Sequence, residues 1–476
     1  MGDSPVTEPL TLFDKIWQRH VVTTSADGES LLYVDRNFLH EGSFLAFDIL
    51  KQGGGRVRGR GHTGFVDHFA PTARAGDMRA VADAEARRVI ELLGENTEAH
   101  GIPFLGLDDE NQGIMHVVGP ELGLVLPGLV VTGNDSHTCT NGALAALAFG
   151  IGQSEINQVL QTQTVWRRKP KSMRVLVEGV MPSGVASKDI ALALIGRLGA
   201  GAGTGYVIEY AGRRVADMSM EARMSLCNMS IEAGARSGMV GPDETTLAYL
   251  SRCPRAPRDA AAIQAWKAIA TEPGARFDAE MTFDVSHLAP QVTWGTSLDQ
   301  VCGIEGGAPL PGDIADPARR EAAERALEYM GLAAGAPLAG ISIDRAFIGS
   351  CTNSRLEDLR AAAAVLKGRR VRVPTLISPG SMLVKRLAET EHLDRIFSDA
   401  GAQWGDASCS MCVGSNGDLV AAGQRCASSS PRNFVGRQGV GARTHVMSPA
   451  MVAAAAVAGA IADVRAFGGG LVNHQV

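Results

Sequence analysis

Cys409-Ser410-Met411-Cys412 sets two thiols three residues apart, and a lone Cys351 stands upstream in Ile348-Gly349-Ser350-Cys351-Thr352-Asn353-Ser354. Thiolates are soft ligands that suit zinc or iron–sulfur clusters. An iron–sulfur cube held by four thiolates shuttles electrons. The same cube held by three leaves one iron free to act as a Lewis acid on substrate oxygen. Zinc would want a further ligand at short spacing, and no second CxxC and no HxxxH occurs. A thioredoxin-type redox pair starts a helix after an early strand, whereas this pair lies late, in a Gly- and Ser-rich loop. Cys426, followed by Ala427-Ser428, is a fourth-ligand candidate. Spacing alone leaves these readings open.

A Lewis acid that removes hydroxide needs a proton donor beside it, and a diacid substrate needs fixed cations. Asp67-His68 offers an imidazole whose pKa a neighbouring carboxylate can raise, although such a pair taken singly is more often structural. Asp135-Ser136-His137-Thr138 follows an apolar run and precedes Asn141-Gly142-Ala143, the order in which an α/β sheet presents chemistry at a strand end. His40-Glu41 is a second polar cluster at a strand end, with a helix cap as the equal alternative. His116 sits within an apolar run, the usual setting of a core histidine. Asn228 and Glu232 are four apart on an otherwise apolar helix face and need partners if buried. Arg432 and Arg437 lie in a turn-rich loop and can grip two carboxylates or form surface ion pairs.

These groups must be held by a larger scaffold. Apolar periodicity and start signals predict helices over 10–20, 77–93, 144–150, 187–198, 219–235, 318–330, 356–366 and 381–389, and a last one from Ser448. Buried strands are predicted over 31–35, 104–107, 129–132, 173–177, 346–350 and 375–378. The charged stretch 254–290 reads as an outer helix and connector, and 306–317 as a linker. The glycine-rich loop 199–205 lacks the residues of a phosphate-binding loop and reads as close packing. The pattern is α/β, with subdomains expected over about 10–170, 171–335 and 341–466.

The 476 residues, 45% of them hydrophobic, suffice for two or three domains. A net charge of −6 argues against a nucleic-acid binder, and Arg56 to Arg60 is a local basic run. Residues 1–5 carry no signal pattern, and Val6 breaks the myristoylation pattern. The Ala-rich run 451–462 is too short for a membrane span. Eight cysteines without an export signal fit reduced thiols in the cytoplasm.

Taken together and in order, several motifs resemble the aconitase superfamily, most closely the large subunits of bacterial 3-isopropylmalate dehydratases. They are Asp135-Ser136-His137-Thr138, Leu226-Cys227-Asn228-Met229 with Glu232, Ile348 to Ser354, Cys409 to Cys412, Arg432-Asn433-Phe434 with Gly436-Arg437, and Thr444-His445 with Ser448-Pro449. The resemblance spans about 12–465. It implies three-layer α/β/α subdomains around a central cluster cleft, and one [4Fe-4S] cluster on Cys351, Cys409 and Cys412. It further implies reversible dehydration of a hydroxy-dicarboxylate, first of all the interconversion of 2- and 3-isopropylmalate in leucine biosynthesis. His68, held by Asp67, would protonate the leaving hydroxide. His116, Asp135, His137 and Glu232 would line the water side. Arg432 and Arg437 would hold carboxylate, with His40, Ser136 and Asn228 as further substrate contacts.

In single-chain relatives a swivelling domain supplies a serine base. This chain is expected to lack that domain and to need a separate small subunit, so that alone it binds cluster without turnover. The sequence departs from the resemblance in three places. Pro431 stands where an Asn is usual, Phe69 follows His68 where an Asn is usual, and the run after His40-Glu41 is one residue short. A paralogue acting on citraconate or 2-methylmalate, maleate or homoaconitate is the alternative. A non-catalytic, cluster-sensing or RNA-binding relative is a second, which the acidic pI of about 6.0 disfavours.

Overall fold

In a computed structural model, the structure describes residues 8–73 and 78–468, except the side chain of Arg79. The readings of residues 1–6 and the start of the helix expected from Asp77 lie outside the described residues.

Three parallel sheets organise the chain. The first contains β1 (Arg36–Leu39), β2 (His62–Phe65), β3 (Phe104–Leu105), β4 (Val130–Gly133) and β5 (Leu147–Gly150), in the order β3-β2-β1-β4-β5. The second has β6 (Lys171–Glu178), β7 (Tyr206–Ala211), β8 (Ser237–Val240) and β9 (Ala279–Asp284), in the order β8-β7-β6-β9. The third has β10 (Arg345–Ile348), β11 (Thr375–Ile377), β12 (Gln403–Trp404), β13 (Arg425–Ser428) and β14 (Arg443–Val446), in the order β12-β11-β10-β13-β14. In the first and third sheets the chain lays down three strands in one direction, then returns to the other side of the first. That reversal makes a crevice at the C-terminal strand ends, where α/β sheets bind ligands.

Strand alternation explains the packing. Phe38, Phe65, Val131 and Ala148 face a core shared with the second sheet. Their neighbours Leu39, Val66, Val130 and Leu147 face another, which contains Leu12 and Ile16 of α1 (Leu12–His20) and Ile90 and Leu93 of α2 (Ala84–His100). Both faces of the first sheet are therefore buried, as parallel sheets require. The shared core also takes the apolar sides of α4 (Ser187–Leu198) and α5 (Met220–Asn228). In the third sheet Ala346 and Ile348 pack on α6 (Leu356–Leu366) and α7 (Pro449–Ala458). The intervening Phe347 instead meets Met411, Cys412 and Val420, so the loop carrying two of the thiols covers that face. Helix α3 (Met115–Glu121) wedges between cores, with Met115 and Val118 on one side and Ile114, just before it, and Val117 on the other.

Several expected elements are confirmed. Thr11 caps α1 by accepting from Asp14 N at 3.0 Å; α4 and α6 have the expected bounds. Others differ for physical reasons. The expected strand 31–35 lies earlier, at Glu29–Tyr33, which pairs antiparallel in a small outer sheet; β1 is a separate strand after it. The helix expected over 77–93 runs Ala84–His100, because Asp83 caps it. Residues 144–150 are not a helix: Ala145 takes φ +57°, which ends a 3-10 segment, and Leu147–Gly150 then pairs with β4. The helix expected over 219–235 is α5 continued by a 3-10 turn, Met229–Ala233. Within 254–290, Ala279–Asp284 is a strand on the sheet edge, its charged residues facing outward and Arg174 pairing with Glu280 at 2.6 Å.

Candidate functional site

The first sheet delivers charge. His40 follows β1, Asp67 and His68 follow β2, and Asp135 to His137 follow β4, so three adjacent strand ends converge. Glu41, fully buried, fixes the turn after β2: its carboxylate accepts from the backbone N–H groups of Asp67 (2.9 Å), His68 (3.3 Å) and Phe69 (3.1 Å). Asp67 uses one oxygen on His68 Nδ1, at 2.5 Å, and the other on the N–H of Met115 at the start of α3, at 3.1 Å. His68 Nε2 lies 3.4 Å from Asp135 Oδ2. Asp135 also accepts from His116 Nε2 at 2.9 Å and from the His137 backbone at 2.6 Å. His137 Nε2 continues to Glu232 at 3.0 Å, and Glu232 receives Arg432 Nε at 2.6 Å.

Proton affinities follow from this network. Burial works against a charged His68, but the Asp67 charge and the bonds to Asp135 and Asp67 outweigh it and raise its pKa well above the imidazole range. Burial would raise the Asp135 pKa; bonds from His116, His137 and His68 hold it well below the carboxylate range. Asp67 is likewise lowered, because His68 outweighs burial. His40 stacks on His68 with ring centroids 4.2 Å apart. Burial and the charge of His68 push it down to about 4, so it is neutral. The result is an imidazolium clasped between two carboxylates.

The third sheet delivers sulfur. Cys351 follows β10, and Cys409 and Cys412 lie in the loop after β12. Non-glycine residues in the left-handed region adjoin two of them: Ser350 at φ +85° and Ser410 at φ +48°. Such backbone costs about 1–3 kcal/mol per residue and persists only where surroundings enforce it. Gly349 is required for space: a Cβ there would meet the Phe347 ring at 2.5 Å. Hydrogen bonds tie this edge to the first, with Cys409 N donating to Asp67 O (3.0 Å) and Ser408 Oγ to Ala70 O (2.7 Å).

His68, His116, Asp135, His137, Arg437, Ile114, Val413 and the three cysteines line one cavity. Asp67, Asn228 and Glu232 are not in its lining and reach it through hydrogen bonds to His68, Cys351 and His137, Arg432 and Ser136 follow through Glu232, and His40 reaches it by stacking on His68. Arg432 is already engaged by Glu232 and, at 2.9 Å, Ser136. Asn228 is fully buried; its amide donates to Cys351 Sγ (3.2 Å) and Thr140 Oγ1 (2.8 Å) and accepts from Thr352 (2.6 Å). Arg437, by contrast, has no carboxylate within 4.0 Å among the described residues; its Nη2 lies 3.7 Å from Cys412 Sγ and its buried Nε has no partner. Cys426 is buried in β13 and does not line the cavity.

The donor set fits an extended cluster better than a single ion. The three sulfurs share one cavity, yet among the described residues they do not form a group whose ligand atoms close to within 4.8 Å. The group that does so is His40, Glu41, Asp67 and His68. Its oxygens and nitrogens are already joined to one another or to backbone, as a proton relay would be. Burial and neighbouring negative charge raise the thiol pKa of Cys351 and Cys409, so their thiolates need a cationic partner. N–H donors aimed at the sulfurs of Cys351 and Cys412 suit thiolates in a cluster. All eight cysteines are free thiols.

Sequence reasoning flagged Glu41 only as part of a polar cluster and did not single out two other residues that build this site. Glu41 holds the Asp67-His68 turn. Arg355 donates to the carbonyl oxygens of Cys351 (3.0 Å), Thr352 (3.2 Å) and His116 (3.1 Å). Lys188 braces two loops from behind. Glu41 adjoins a flagged histidine; Arg355 and Lys188 look like surface charges at helix starts.

Residues 14–459 match the family described as "Aconitase family (aconitate hydratase)". The solved structure of Thermococcus kodakaraensis aconitase X, in its holo-form, superposes with a TM-score of 0.45 at 13% identity, covering 85% of this chain and 84% of that one. A glycosyltransferase from Rickettsia africae reaches a TM-score of 0.15 at 11% identity, covering 55% of this chain and 73% of that one. Neither structural likeness is close enough to bear on the chemistry.

Proposed function

The chain belongs to the aconitase family of iron–sulfur hydro-lyases, and we propose that it dehydrates and rehydrates a small hydroxy-dicarboxylate, interconverting 2- and 3-isopropylmalate through isopropylmaleate. The observation that carries this reading is the single cavity shared by three thiols, a clasped imidazolium and an unpaired guanidinium. Cys351, Cys409 and Cys412 would hold a [4Fe-4S] cluster. When bound, it supplies Lewis acidity from the iron that no thiolate holds.

The chain's own groups do the rest. His68 delivers a proton to the departing hydroxide; Asp67 orients it through Nδ1 and Asp135 keeps it charged. Asp135, His116 and His137, tied to Glu232, hold the released water. Arg437 takes a substrate carboxylate by charge and planar geometry. Arg432 keeps Glu232 and Ser136 in place, and Asn228 keeps the Cys351 loop in place. Ile114 and Val413 give part of the wall an apolar character that suits an alkyl substituent better than a third carboxylate.

The α-proton needs a base, which in this reading a serine on a separate small subunit provides. The compartment that suits eight free thiols is the cytoplasm; no helix among the described residues is long and apolar enough to cross a membrane. A second reading, a paralogue for citraconate, maleate or homoaconitate, draws support from Phe69 and Pro431, which stand beside His68 and Arg432. The deciding experiment reconstitutes cluster-loaded chain with a small subunit and assays isopropylmalate, citraconate, maleate and homoaconitate in parallel. Preference for isopropylmalate supports the first reading, and turnover of another diacid alone replaces it.

A further inference from the structure

Lys188 is 0% exposed, on the first turn of α4. Its ammonium donates to Asn353 Oδ1 (3.0 Å), Ser429 O (2.8 Å) and Ser430 O (3.1 Å), all neutral oxygens. Among the described residues no carboxylate lies within ion-pair distance of it. The adjacent Asp189 points elsewhere, accepting from the N–H groups of Gln291 and Ala186 at 2.7 Å each. A buried cation without a counter-ion is costly. Its position adds to that cost, because a helix N-terminus carries partial positive charge and disfavours cations. Three unfavourable terms at one residue call for an anion that the chain alone does not bring into contact.

The partners show where that anion belongs. Asn353 is two residues past Cys351, in the loop after β10. Ser429 and Ser430 follow β13, the neighbouring strand, and lead through Pro431 to Arg432. One ammonium thus crosses from a helix of the second sheet to pin two adjacent strand ends of the third. Asp358, which accepts from Asn353 Nδ2 at 2.9 Å, the thiols of Cys351 and Cys412, and the adjacent Asp189 act on it electrostatically without touching it.

We propose that Lys188 is a positioning residue for the cluster: it is a fixed counter-charge to the thiolate-bound group, and it holds the Cys351 and Arg432 loops in register. This rests on the cluster reading above. Reduction adds negative charge to a cluster, so a fixed cation nearby favours it and raises the reduction potential. The same cation favours retention of the cluster, since groups behind first ligands commonly govern affinity.

The test compares the full chain with Lys188→Gln, which keeps amide donors and loses the charge, and Lys188→Arg, which keeps the charge. Clusters are reconstituted and followed by redox titration with electron paramagnetic resonance, and by iron release to a chelator. In the Gln variant the potential should shift to more negative values and iron should be released about 10-fold faster; Arg should restore the potential toward wild type. Hydrogen exchange on cluster-free chains should show faster exchange at 350–354 and 429–432 in Lys188→Met than in Lys188→Gln. A folded, loaded Gln variant with wild-type potential and release rate overturns the counter-charge role, and unchanged exchange in the Met variant overturns the loop-holding role. If Gln does not fold, lysine-nitrogen NMR of the loaded wild-type chain decides: a buried ammonium at neutral pH supports the proposal, and a neutral amine overturns it. Failure of the wild-type chain to take up a cluster removes the cluster reading itself, while the exchange experiment still judges loop holding.

Discussion

The first and third sheets have the same topology and open the same crevice, but they fill it with opposite chemistry. At the end of β1, β2 and β4 stand His40, Asp67-His68 and Asp135 to His137, whose charges are closed upon one another by hydrogen bonds. At the end of β10 and β13 stand Cys351 and a run of serines. Their hydroxyls hold backbone, as Ser429 does by accepting from Gly349 N at 2.9 Å, while two of the thiols receive N–H groups, from Asn228 at 3.2 Å and Arg437 at 3.7 Å. One edge is a closed network of hydrogen-bonded charges; the other is a pair of thiol-bearing loops with left-handed serines beside Cys351 and Cys409. Topology fixes where chemistry can sit, and the residues just past each strand decide what it is.

The comparison breaks most visibly on the sulfur side. Cys351→Ala should abolish cluster retention and all turnover, seen as loss of bound iron and of visible absorbance, with the proton network untouched. His68→Ala should do the reverse, leaving iron content at wild type and lowering kcat by about 10²–10⁴-fold in the two-chain enzyme. If His68→Ala also loses its iron, the two edges are not separable devices. Arg437→Ala comes next: removal of the unpaired guanidinium should raise KM for the diacid by about 10-fold or more, as loss of a charged contact of 1.5–3 kcal/mol implies, while bound iron stays constant. An unchanged KM would assign the carboxylate to another cation.

Much of this was legible in the chain. Asp135 to His137 stood out because several polar residues packed directly after an apolar strand exceed what a plain turn needs, and the cysteines stood out by type and spacing; Asp67-His68 did not stand out singly, because the short strand before it, β2, carries no clear pattern. Edges and caps were not legible. β9 is hidden by Glu280 and Asp284, which an edge strand can turn outward. β5 is hidden by the alanine-rich stretch 143–148 that runs into it, whose helical preference yields to pairing with β4. Asp83 moves the start of α2 because a capping carboxylate outweighs weak periodicity. Within the site, Lys188 and Arg355 were unreadable because burial of a charged side chain depends on what another sheet brings against it. Ser350 and Ser410 were unreadable because left-handed φ at serine has no sequence signal.

The smallest expected effect asks whether the charged edge is a folding asset without its metal. Asp67 and Asp135 are buried carboxylates lowered by their imidazole partners, and His68 is raised by them. A group whose folded pKa is raised stabilises the fold fully below its unfolded value, about 6.5 for histidine, and that contribution fades as pH climbs through the folded value. The carboxylates act in the opposite sense: their contribution is present above the unfolded range near 4 and is lost as pH falls through their lowered values. Cluster-free chain should therefore be more stable to urea than His68→Asn at pH 6 to 7, with the gap narrowing toward alkaline pH. A gap that stays constant across that range would mean His68 contributes packing alone, and that its charge forms only when the sulfur edge is filled. In that case the two sheets would be coupled, and the charged network would not be complete until its neighbour is.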